Sequence, residues 1–115
     1  MYATPMNPSL ASRAEAFSAH LTQMVDGLPE SRQALLPTRQ AYFSTQAMAE
    51  YLARAATARS ASSYRAALDH ALLEVREANH WLSALSDDQP ETARLCTPLH
   101  DEAAALAELL VEEAY

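Results

Sequence analysis

From Tyr64 to Leu85 the apolar residues fall at alternating steps of four and three: Tyr64, Leu68, Ala71, Val75, Ala78, Leu82 and Leu85. A helix turns once every 3.6 residues, so this spacing stacks all seven on one face; a half-buried strand would need steps of two. A seam this long commits the chain to packing helix on helix. The same alternation runs through Leu10, Ala14, Phe17, Leu21, Met24 and Leu28, and less regularly through Leu95, Leu99, Ala103, Leu106 and Leu110. A shortage of turn residues acts in the same direction. The 115 residues include a single glycine, and tight hairpins depend on glycine, so a meander of strands is not expected. Alanine, the best helix former, makes up about a fifth of the chain. This length fits one domain with one core.

The breaks between periodic stretches set the expected boundaries. Residues 1–9 hold Pro5 and Pro8 and no periodicity, and read as a flexible N-terminal arm; residues 10–115 read as the helical domain. Asn7 or Ser9 can cap the first helix, and Gly27 with Pro29 ends it. Glu30–Leu36 reads as a helical turn or two leading into a second helix from about Pro37 to Ala58, with Tyr42, Ala49, Leu52 and Ala56 on its core face. Ser60 is positioned to cap the third helix. In the fourth, Pro98 is out of place in a helix interior. Either the helix kinks near residues 94–98, or Thr97-Pro98 caps and starts its regular part. The expected fold is all-α, an antiparallel up-down four-helix bundle.

Charge narrows the function. The net charge is −7, with eight arginines and no lysine. Residues 1–65 carry six Arg and four acids, whereas residues 66–115 carry two Arg and eleven acids. Such an acidic chain is a poor general binder of nucleic acid, which calls for clustered cations. Solvated helix faces explain the imbalance simply; complementary ends meeting between subunits explain it more sharply. The N-terminal ten residues lack a positive charge and an apolar run, so no secretory signal is expected. No stretch approaches the length of a membrane span. With one cysteine, Cys96, no internal disulfide can form, and a cytoplasmic location is expected.

Few residues suggest chemistry. Glu77 and His80 have the Glu-x-x-His spacing of di-iron bundles, but those sites need a second copy and two further Glu, which are missing. Arg65…His70 and Arg94…His100 match the loose Arg-x(4–6)-His pattern of HEPN-type RNases, in which the pair would act on RNA phosphate. Arg65 and His70, five apart on a helix, point to different faces. Cys96 reads as a small buried hydrophobe, and Glu108, Glu112 and Glu113 as a solvated face. No catalytic, metal or cofactor site is expected. Two surface features remain. Phe43, Ala47 and Tyr51 form a second apolar stripe on the second helix, and Leu73 and Trp81 lie off the main seam of the third. Phe43, Tyr51, Leu73 and Trp81 are therefore candidates for a subunit interface, where aromatic residues are enriched. Arg54, Arg59 and Arg65 form a candidate nucleic-acid patch.

The stretch Tyr51-Leu52-Ala53-Arg54-Ala55-Ala56-Thr57-Ala58-Arg59-Ser60-Ala61-Ser62-Ser63-Tyr64, followed by Ala71, Glu77 and Leu82, resembles the family known simply as four helix bundle proteins. That family was first noticed in intervening sequences of large-subunit ribosomal RNA genes, and accessory proteins of diversity-generating retroelements are relatives. Its pattern here is roughly Asn-Ile-Ala-Glu-Gly, then Arg-Ser and an aromatic, then Ala-x-Gly-Ser-x-x-Glu. Leu52, Ala53, Arg59, Ser60, Tyr64, Ala71, Glu77 and Leu82 fit it. Tyr51, Arg54 and Ala55 stand at the Asn, Glu and Gly positions, and Leu73-Glu74 replaces Gly-Ser. The resemblance spans about residues 35–112. It implies a bundle that assembles with itself as a homopentameric ring and no established enzymatic activity. Retroelement relatives are basic and bind nucleic acid, a property this acidic chain does not share.

Overall fold

In a computed structural model, residues 6–87 and 90–115 are described. Among them the chain forms five helices and no strand: α1 (Pro8–Asp26), α2 (Glu30–Gln33), α3 (Leu36–Ala56), α4 (Ala61–Ser86) and α5 (Pro90–Ala114). α1 begins inside the expected arm. Asn7 Oδ1 accepts from the Ser9 N–H at 2.9 Å, and Pro8 opens the helix where an N–H has no partner to lose. Met6 packs against the core, and the rest of the expected arm, residues 1–5, lies outside the described residues. At the other end of α1, Gln33 Nε2 donates to the carbonyls of Leu28 at 2.6 Å and Asp26 at 3.3 Å. The turn into α2 thus satisfies acceptors that a helix terminus leaves open.

Gly27 follows α1 at φ −80°, ψ −11°, an ordinary right-handed conformation. A Cβ there would meet Gln23 O at 3.4 Å and Met24 O at 3.5 Å, which is van der Waals contact. The site makes no use of glycine's freedom. Gly27→Ala should therefore stabilise the fold by about 0.4–1 kcal/mol, chiefly by restricting the unfolded chain. The check is a higher urea midpoint at unchanged slope; a lower midpoint would mean the backbone needs the glycine after all.

α4 follows its sequence pattern residue for residue. Ser60 Oγ accepts from the Ser63 N–H at 3.1 Å, and all seven seam residues are buried, joined by Ala67 and Leu72. α3 does not follow the expected pattern. Leu52 is buried as expected, but Tyr42, Ala49 and Ala56 are exposed, and the core face is Thr38, Ala41, Ser44, Thr45, Met48, Leu52 and Ala55. Hydroxyls account for the rotation. Thr38 Oγ1 donates to Arg32 O at 3.0 Å and Thr45 Oγ1 to Tyr42 O at 2.7 Å, so both bury at little cost. α5 departs from one of the two expectations for it, a start at Thr97-Pro98. It runs unbroken from Pro90 through Pro98 to Ala114, and Thr97 Oγ1 bonds back to Ala93 O at 3.0 Å instead of capping a new helix. Leu99, Ala103, Leu106 and Leu110 are buried as expected, with Thr92, Cys96 and Ala114, while Leu95 stays half exposed.

The most extensive seams are α3 on α4 and α4 on α5; α1 packs on α3 and α5, and α2 packs chiefly on α3. Alanines line these seams, with Ala41, Ala71, Ala78 and Ala103 buried almost completely. Small side chains there let the helix axes approach closely.

Candidate subunit interface

The four residues singled out by sequence lie on α3 and α4, where Phe43 also borders a cleft with Thr22, Val25 and Asp26 of α1 and Gln33 of α2. Tyr51 stacks on His70 across the two helices, with ring centroids 4.8 Å apart and planes at 21°. This contact fixes their register. One turn away along each helix come Ala47 and Glu74, and a turn beyond them Phe43 and Glu77. Leu73 follows His70 by three residues and Trp81 follows Glu77 by four, which places both on this side of α4. Phe43 is 52% exposed and Leu73 55%. Tyr51 and Trp81 are partly buried against the edge of the core. Trp81 also takes the His80 ring edge-on at 5.0 Å, and Tyr42 meets Phe43 edge-on at 6.1 Å. The Arg54 guanidinium lies 5.2 Å from the Tyr51 ring centre, a cation–π contact that keeps the charge at the surface. Glu74 sits among these groups with its carboxyl pKa raised, first by burial and then by Glu77, against the opposing effect of His70.

The candidate nucleic-acid patch does not stay together. Arg54 and Arg59 are exposed near the α3–α4 turn, but Arg65 Nε donates to Ala114 O at 2.9 Å and its guanidinium lies over the Tyr115 ring at 5.5 Å. The Tyr115 hydroxyl bonds Asp69 at 3.1 Å and 3.2 Å, and that carboxylate pushes the phenol pKa up. Arg65 is thus engaged by the end of α5. The Arg–His pairs part in the same way. Arg65 turns to α5 while His70 stacks on Tyr51; His100 meets Asn79 while Arg94 is exposed. Glu77 and His80 both face solvent, and among the described residues no three His, Cys, Asp or Glu side chains gather in metal-ligating geometry. Cys96 is a free, buried thiol, its pKa pushed up by burial against the opposing hydrogen bond of Ser86. No helix among the described residues is long and apolar enough to cross a membrane.

Two features had no signal in the sequence. His20 Nδ1 meets Glu102 Oε1 at 2.5 Å, tying α1 to α5. An open groove, half of whose lining residues are alanine, runs between α1 and α3. Both depend on residues far apart in the chain.

No family model matches the chain, and no curated protein does. The fold is similar to that in the crystal structure of a protein of unknown function from the S23 ribosomal protein family of Bacteroides thetaiotaomicron VPI-5482, with a TM-score of 0.82 and 17% identity over 90% of this chain and 93% of that one. At that identity the likeness concerns the fold alone, and the fold is the all-helical one that the apolar periodicity called for.

Proposed function

We propose that the chain is a non-enzymatic, cytoplasmic, self-associating antiparallel four-helix bundle, a structural or interaction protein whose working form is a ring of identical subunits. The observation that carries this reading is the outer α3–α4 face. Phe43 and Leu73 are more than half exposed there, flanked by the half-buried rings of Tyr51 and Trp81. Large apolar side chains grouped on one face are the usual mark of an interaction surface. The antiparallel arrangement is supported by contacts between helix ends. Near the end of α5, Glu113 Oε1 accepts from the Asn7 N–H before α1 and from the Tyr64 hydroxyl near the start of α4. The homopentameric ring is what the family resemblance implies.

Native mass by light scattering at micromolar concentration tests the reading. A pentamer would give about 63 kDa, five times the 12.6 kDa chain; a monomer would overturn it. Phe43→Glu or Leu73→Glu should weaken assembly by about 30-fold or more. Both side chains are exposed, so helical circular dichroism should be unchanged. Full-mass assembly by both variants would remove this face from the contact.

A further inference from the structure

The geometry points to the second half of the subunit contact. The α1–α3 groove of one copy receives the outer end of α3 from the next copy, through Leu36 and Phe43, with Arg39 of the incoming helix on Glu15 at the groove's rim. This rests on the self-association proposed above, and it names the surface that meets the apolar face.

The groove encloses about 370 Å³. Ala11, Ala14 and Ser18 line it from α1, and Ala49, Ala53 and Ala56 from α3. Met6, Met48 and Leu52 complete the lining, and the small residues between them leave room in the groove for side chains from outside. Its lining is mostly apolar, yet the Ser18 hydroxyl is buried there with no hydrogen-bond partner. A buried polar atom without a partner is costly unless something else supplies one. Glu15 is the one charged residue of the lining.

The other end of α3 has the complementary character. Leu36 is 59% exposed and Phe43 52%, and Arg39 lies between them, also exposed. Leu36, Arg39 and Phe43 are spaced by three and four residues and so share a side of the helix. Among the described residues, neither Glu15 nor Arg39 has an ion-pair partner within its own chain. The two surfaces thus match in apolar character and in charge.

They also occupy different places on α3. Phe43 and Ala53 are ten residues apart, about 15 Å along the axis and on different sides of it. One copy cannot bring both to the same patch of its neighbour. The contact is therefore head-to-tail, the kind that closes into a ring when the rotation permits.

Complementation tests this with intact chains. Ala53→Trp fills the groove and leaves the α3 end intact; Phe43→Glu does the reverse. Neither variant alone should assemble. Mixed in equal amounts, they should form a heterodimer of twice the chain mass, because one good end still meets one good groove. Glu15→Arg should weaken assembly by about tenfold or more, and adding Arg39→Glu should restore it to within a few-fold of wild type. Circular dichroism should be the same for all variants, which separates assembly from folding. If wild type assembles while Ala53→Trp assembles equally well, or the mixture remains monomeric, the groove is not the receiving surface, and self-association through Phe43 and Leu73 stands without it. If wild type is itself a monomer, both fail.

Discussion

Replacing Pro98 with alanine is expected to raise the midpoint of thermal unfolding by about 10 °C. Pro98 lies well inside α5, which begins at Pro90 and continues to Ala114, and its side chain is exposed. Proline inside a helix removes the hydrogen bond to the carbonyl four residues back and sets its ring against that carbonyl, at about 3 kcal/mol relative to alanine. Here that acceptor is Arg94. Nothing in the core depends on the ring, because the buried residues on either side are Cys96 and Leu99. Alanine would supply the missing N–H and keep both neighbours in place. A calorimetric or dichroism melt measures the gain, and hydrogen exchange should show a protected amide at position 98. An unchanged or lower midpoint would mean that α5 is shaped around the proline and that packing against α4 has absorbed its cost.

Pro98 also marks a limit on what was legible in the chain. Its local preference suggests a helix start at Thr97-Pro98, but packing along α4 extends α5 back to Pro90. The α4 seam was legible, because it consists of five large apolar residues and two alanines at unambiguous spacing. α3 was not. Its alanines occur on every side, so they carry little directional signal, and the true core face includes Thr38, Ser44 and Thr45. Hydropathy places such residues outside; the main-chain bonds made by Thr38 and Thr45 bring them in. The outer stripe of Phe43 and Leu73 could be read because both residues fall off the main seam. The fate of Arg65 could not, since its partner Ala114 is 49 residues away. The α1–α3 groove has the same origin: neither helix contains it alone, and no local pattern announces the spacing between them.

Phe17→Ala should cost about 3–5 kcal/mol, a major part of the roughly 5–15 kcal/mol available to a domain of this kind. Phe17 is fully buried, and it lies midway along the α1 face formed by Leu10, Ala14, Phe17, Leu21 and Met24. The seams of α1 with α3 and α5 are less extensive than those joining α3, α4 and α5. A cavity at position 17 therefore falls on the least firmly held of the long helices. The loss should be seen first as local opening: α1 amides should exchange faster than those of α4, before the global melt is reached. Phe43→Ala provides the contrast. That ring is half exposed, so its removal should change stability of the isolated subunit by no more than about 0.5 kcal/mol while weakening assembly. Two phenylalanines would then separate folding from association: Phe17 would register in the unfolding midpoint at any concentration, Phe43 only where subunits meet. If Phe43→Ala destabilises the dilute subunit as much as Phe17→Ala, the α3–α4 face is part of the protomer's own core, and the case for it as a contact between copies is lost.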